Sequence, residues 1–149
     1  MRAHPKAATV LLPLLALGAC VSFKADSPLP YRCFLEQIEI CREVKETDDE
    51  FIPSDPAQSF TDSDGCVYCF VKARTITDEV NLRWKWYSPD GNMWRDSGSV
   101  VANQGKDDLS AITAYDVLKI DQDSVPKGEW VAVFFVDEVL LGRKKFRIL

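Results

Sequence analysis

Val80-Asn-Leu-Arg-Trp84-Lys-Trp86-Tyr-Ser-Pro-Asp-Gly91 is the stretch on which the fold turns. Val80, Leu82, Trp84 and Trp86 share one parity, and Asn81, Arg83, Lys85 and Tyr87 share the other. A period of two is that of a half-buried β-strand. Ser88-Pro-Asp-Gly91 reads as the turn that ends it. Pro presets φ, Asp bonds its own backbone, and Gly tolerates positive φ. Two tryptophans on one face are a large apolar load, so this strand is placed at the centre of a core.

The same grammar recurs on both sides. Residues 36–44 read as a first strand, with Ile38 and Ile40 on one parity and Leu35 and Cys41 on the other. A helix over residues 31–42 is the alternative, because Phe34, Ile38 and Cys41 also fit helical spacing. Residues 45–65 are polar and acidic, with Pro53 and Pro56, and read as a loop with room for a short edge strand. Cys66–Thr75 is rich in β-formers and puts Val67, Cys69, Val71 and Ala73 on one face. Beyond Gly91 come a restart at residues 93–95, a short edge at 99–102 and a loop at 103–108. Residues 111–120 fit strand or helix by composition. Val125-Pro-Lys-Gly128 is a turn. Residues 130–136 are apolar on both parities, which places them in a central strand covered on each side. Residues 139–141 and 144–149 close the domain. Short strands at this spacing, divided by turn signals, predict an all-β antiparallel sandwich.

The first residues belong to something else. Arg2, His4 and Lys6 form a basic start, residues 7–17 form an apolar run broken by Pro13, and Leu17-Gly18-Ala19-Cys20 follows. The run falls short of the roughly 20 residues that a membrane span needs. Residues 1–19 therefore read as a cleaved secretory signal. Leu17-Gly18-Ala19-Cys20 resembles the lipobox of bacterial lipoproteins. That resemblance implies cleavage before Cys20, a lipid on its thiol, and residues 20–32 as a tether carrying Ser27-Pro-Leu-Pro30. The alternative is an ordinary secreted protein cut after Ala19. Val21 after the cysteine, rather than Asp, resembles the proteobacterial pattern that permits export to the outer membrane.

Charge and histidine content exclude several chemistries. The 149-residue chain carries 18 Lys and Arg against 23 Asp and Glu. Loss of Arg2 and Lys6 with the signal moves the net charge from −5 to near −7. An acidic surface argues against bulk binding to nucleic acid. His4 is the sole histidine and lies in the signal. The mature chain would then have no Ser-His-Asp or Cys-His catalysis, no histidine zinc site and no histidine switch. Carboxylate chemistry stays open.

Gly128-Glu-Trp130-Val-Ala-Val133-Phe-Phe-Val136-Asp137-Glu-Val-Leu140, ending in Phe146-Arg-Ile148, resembles the last hairpin of immunoglobulin-like domains in bacterial envelope lipoproteins. Trp84-Lys-Trp86-Tyr-Ser-Pro-Asp-Gly91 resembles their middle strand. Ile40-Cys41-Arg-Glu-Val44 and Val67-Tyr68-Cys69-Phe-Val71 resemble their first two. The resemblance implies an immunoglobulin-like sandwich over residues 33–149 and a non-enzymatic role, with no catalytic residue to carry over.

Four cysteines remain after Cys20, and the expected compartment is oxidising. Cys33 and Cys41 on one strand stand ~26 Å apart, and Cys66 and Cys69 ~10 Å apart on opposite faces. Bonds need Cα atoms within ~7 Å, so they are expected between the two groups. The resemblance implies Cys41–Cys69, which leaves Cys33–Cys66. A Cys66-x-x-Cys69 redox pair and a four-cysteine zinc site fit the strand context and the spacing poorly.

Trp84 and Trp86 read as core. Tyr87, Asp90 and Trp94 flank the turn and are the candidate partner-binding residues. Asp62-Ser-Asp64-Gly65 and Asp121-Gln-Asp123 lack the EF-hand spacing and read as solvated loops. The expectation is a lipid-anchored envelope protein acting as a non-catalytic binding or accessory module, without cofactor or metal. Its partners are the membrane, through Cys20, and an envelope protein. A carbohydrate- or peptidoglycan-binding module is the alternative, and a carboxylate hydrolase is the third reading.

Overall fold

The computed structural model describes residues 33–75, 79–103, 110–120 and 124–149. The expected signal, Cys20, the expected tether, most of the expected loop at 103–108 and Asp121-Gln-Asp123 lie outside these residues.

The described residues form β1 (Cys33–Glu46), β2 (Phe51–Pro56), β3 (Ser59–Phe60), β4 (Cys66–Thr75), β5 (Glu79–Tyr87), β6 (Met93–Asn103), β7 (Ser110–Lys119), β8 (Gly128–Val136) and β9 (Val139–Ile148). One sheet has the order β2-β1-β4-β7 and the other β3-β9-β8-β5-β6. Every pairing is antiparallel except β3 with β9. The chain stays in one sheet at β1–β2, β5–β6 and β8–β9 and crosses between sheets at the other connections, as in an immunoglobulin-like sandwich.

The quoted stretch sits where its pattern placed it. β5 lies between β8 and β6, and its Leu82, Trp84 and Trp86 are fully buried. Trp130 and Phe134 from β8 and Phe146 from β9 complete the aromatic centre. Trp86 meets Phe146 edge-on at 5.9 Å, and Trp130 stacks on Phe146 at 6.3 Å. Each buried tryptophan contributes roughly 4–6 kcal/mol of apolar transfer before chain entropy is set against it.

The first strand stands, with residues 33–46 strand rather than the alternative helix, and residues 110–119 are strand as well. Three other expectations change. A bulge between Leu35 and Gln37 lets Leu35 pack on the core together with Ile38 and Ile40 despite their opposite parity. The acidic stretch 45–65 is mostly ordered pairing: β1 and β2 form a hairpin, and β3 joins β9. The hairpin folds over the outside of its own sheet. The Phe51 N–H reaches the Thr113 hydroxyl on β7 at 3.0 Å, and Lys72 pairs with Glu50 at 3.5 Å. This buries Cys41 and Phe70 in a small second core outside the sandwich. Lastly, β8 is not covered on both sides. Trp130, Ala132, Phe134 and Val136 point inward, while Val131, Val133 and Phe135 are half-buried on the outer face. A two-layer sandwich has no third layer to cover them.

Candidate binding surface

The turn after β5 holds Asp90 rigidly. Its carboxylate accepts hydrogen bonds from the Ser88 hydroxyl, the Asn92 N–H at 3.3 Å and Asn92 Nδ2 at 2.6 Å. These donors hold the Asp90 carboxyl below its usual range. Trp94 is 44% exposed, and its ring meets buried Trp130 edge-on at 5.6 Å, so it shields the end of the core. Tyr87 alternates to the outer face, opposite Met93 on β6 and Val131 on β8. No ring pair joins Tyr87 to Trp94 among the described residues, so the three expected residues do not form one aromatic platform.

The outer face of the five-stranded sheet brings together more of the surface. The register sets its rungs across β5, β8 and β9. Tyr87 stands beside Val131, and Val131 beside Lys145. Lys85 stands beside Val133, and Val133 beside Arg143. Arg83 stands beside Phe135, and Phe135 beside Leu140. An apolar column, Val131-Val133-Phe135, thus runs between two largely basic ones. Leu140 and Met93 extend it and are each 54% exposed.

Local chemistry fixes this face. Arg83 donates to both oxygens of Asp96, at 2.8 and 2.6 Å, and to Glu138 at 3.0 Å. Arg83 holds the Asp96 carboxyl down at about 2. Lys145 pairs with Glu129 at 2.7 Å and lowers its carboxyl. Lys85 lies over the Phe135 ring, 5.1 Å from its centre. Lys85, Arg143 and Arg147 have no ion pair among the described residues. Sequence reasoning missed this face because residues 130–136 read as buried on both sides. The signal was present: a strand apolar on both parities in a two-layer fold must leave one row open.

The remaining candidates are structural. Asp62 pairs with Lys127, while Asp64 accepts from the Thr61 N–H at 2.6 Å and Arg42 at 2.8 Å. Those donors hold the Asp64 carboxyl low. Every described carboxylate with a displaced pKa is pushed down, toward its ionised form. No group of three or more ligating side chains is placed around a metal position among the described residues. Four open hollows lined by described residues have volumes of about 130 to about 300 Å³.

The expected disulfides are not made. Cys33, Cys41, Cys66 and Cys69 are all free thiols. The register explains both failures. Cys41 is level with Tyr68 and Ile40 with Cys69, so Cys41 and Cys69 are neighbours on adjacent strands that point to opposite faces. Cys33 is level with Thr75, nine residues and ~30 Å along β4 from Cys66. Cys69 instead faces the indole of Trp84, whose buried N–H has no oxygen or nitrogen partner. Antibody domains place an inter-sheet disulfide against a tryptophan in this way. Here β8 turns Ala132 and Phe134 inward, so no second cysteine among the described residues meets Cys69.

Comparison with known proteins supports the fold. No protein-family model and no curated protein matches the chain. Among solved structures, a Pseudomonas fluorescens alkylpurine DNA glycosylase bound to DNA with an abasic-site analogue matches with a TM-score of 0.53 at 7% identity. That match covers 79% of this chain, which spans 30% of the glycosylase's length. An immunoglobulin-like protein from Pseudomonas aeruginosa matches with a TM-score of 0.47 at 17% identity, over 78% of this chain and 96% of that one. At 7% identity the likeness to the glycosylase is one of fold alone.

Proposed function

We propose that the chain is a non-catalytic binding or accessory module of the cell envelope, held to a membrane by lipid on Cys20. The outer membrane is the favoured site, from Val21. One observation carries the binding reading. The outer face of the five-stranded sheet leaves Val131, Val133 and Phe135 partly open, with Leu140 and Met93 exposed beside them. The two-layer fold leaves this row open, and a contiguous apolar row rimmed by polar residues marks an interaction site. The alternative is a carbohydrate- or peptidoglycan-binding module using Tyr87 and Trp94, of which Trp94 is 44% exposed.

The test has two parts. The anchor is tested by Cys20→Ser: the variant should leave the membrane fraction and lack the mass of the acyl chains. The module is tested by purifying the full chain from detergent-solubilised envelopes. A near-stoichiometric protein that persists through washing supports the reading. Turnover of a cell-wall substrate by the purified chain would overturn it.

A further inference from the structure

We propose that the outer face of the five-stranded sheet docks an acidic protein surface, one that sets an apolar row between carboxylates. This rests on the binding-module reading and names the kind of partner. Charge is the first argument. The chain as a whole is net negative, yet Arg83, Lys85, Arg143, Lys145 and Arg147 gather on this one face. Its own carboxylates are engaged: Asp96 and Glu138 by Arg83, and Glu129 by Lys145. Lys85 also neighbours Asp96, and Arg147 neighbours Glu129, but five cations stand against these three carboxylates, so the face carries residual positive charge. A complementary surface is acidic.

Spacing is the second argument. The basic columns on β5 and β9 flank β8, two strand spacings or ~10 Å apart, and successive side chains on one face repeat every ~7 Å. A flat or extended protein segment with acids flanking an apolar row meets that grid. A sugar ring would need an open aromatic plane. The one ring of the central column, Phe135, has Lys85 over it. An anionic bilayer would meet Asp96, Glu129 and Glu138 interspersed among the cations. Protein interfaces combine an apolar centre, arginine and a charged rim in this way.

The experiment places a photo-reactive phenylalanine at Val133 of the full chain in its native envelope, and in a second strain at Ile52 on the other sheet. Adducts are identified by mass spectrometry of the cross-linked peptide. The expected Val133 adduct is a protein peptide with Asp or Glu flanking apolar residues. Its yield should fall roughly tenfold in an Arg143→Glu, Arg147→Glu double variant, equivalent to ~1.4 kcal/mol. It should fall similarly at high salt. Unchanged thermal unfolding of the double variant shows that the fold is intact. A Val133 adduct to lipid, glycan, nucleic acid or a second copy of this chain overturns the proposal. So does a protein adduct indifferent to the charge reversal. Adducts from Ile52 alone overturn this surface but leave the binding-module reading standing. No adduct from either position, with no copurifying protein, overturns both.

Discussion

Asp116 on β7 accepts a 2.7 Å hydrogen bond from the indole N–H of Trp86 on β5, across the space between the two sheets. Its second oxygen accepts from Arg95 on edge strand β6 at 3.0 Å. One carboxylate thus satisfies a buried tryptophan and clips two sheet edges together. Asp116→Ala should cost about 2–3 kcal/mol, because the Trp86 N–H is left buried and unpaired. Asp116→Asn, which keeps an acceptor, should cost less. Urea denaturation checks both, and a double-mutant cycle with Trp86→Phe should return a coupling of ~1 kcal/mol or more.

Gly128 joins the turn of β5 to the start of β8. Its φ of +132° is a conformation that L-residues avoid, and an added Cβ would meet the Pro89 ring at 2.9 Å. Gly128→Ala should therefore destabilise by about 2–4 kcal/mol, from backbone strain and overpacking together. Pro89→Ala in the same chain should restore part of the loss. Thermal unfolding of the two variants and the double variant decides it.

Asp137 and Glu138 form the two-residue turn of the β8–β9 hairpin, with φ of +47° and +65°. Such turns favour glycine at the second position. Glu138→Gly removes the strain and loses the exposed contact to Arg83, which is worth little. A net gain of about 0.5 kcal/mol is expected, read as a rise in the urea midpoint. A fall in the midpoint would make the Arg83 contact the dominant effect.

Acid should release the Arg83–Asp96 pair in a defined window. Asp96 has a folded pKa of about 2, below the ordinary ~3.9. A lowered pKa means that the folded state favours the ionised form. The stabilisation is fully present above about pH 4 and is lost as pH falls through about 2. Stability measured from pH 7 to pH 2 should show Asp96→Asn converging on the parent chain at the acid end. A constant gap across that range would sink the assignment.

Thiol reactivity should follow burial. Burial pushes the Cys41 thiol up to about 11 and the Cys69 thiol higher still. Cys66 is half-buried and is expected to react first with an alkylating reagent at neutral pH. Cys41 and Cys69 should react only on unfolding. All four should alkylate in denaturant without reductant. A mass deficit of two protons before reduction would show a disulfide and contradict the register.

Much of the fold was legible in local pattern. The alternation of β5 placed Trp84 and Trp86 in the core, and the turn after it was written in Ser88-Pro-Asp-Gly91. The β8–β9 hairpin was legible from its acidic turn. The inference failed where a face depended on pairing. The bulge at Leu35/Gln37 changed which residues of β1 share a side, and the disulfide expectation fell with the register.

The sequence alone, then, determined the strand period, the buried tryptophans, the absence of histidine beyond His4 and the acidic net charge, all local or additive properties. Only the tertiary structure decided which residues stand next to one another. Cross-strand neighbours such as Lys85, Val133 and Arg143 lie far apart along the chain, and a one-residue shift in register would send every side chain of a strand to the other face. That sensitivity is why the open apolar column and its basic flanks emerge only once β5, β8 and β9 are aligned.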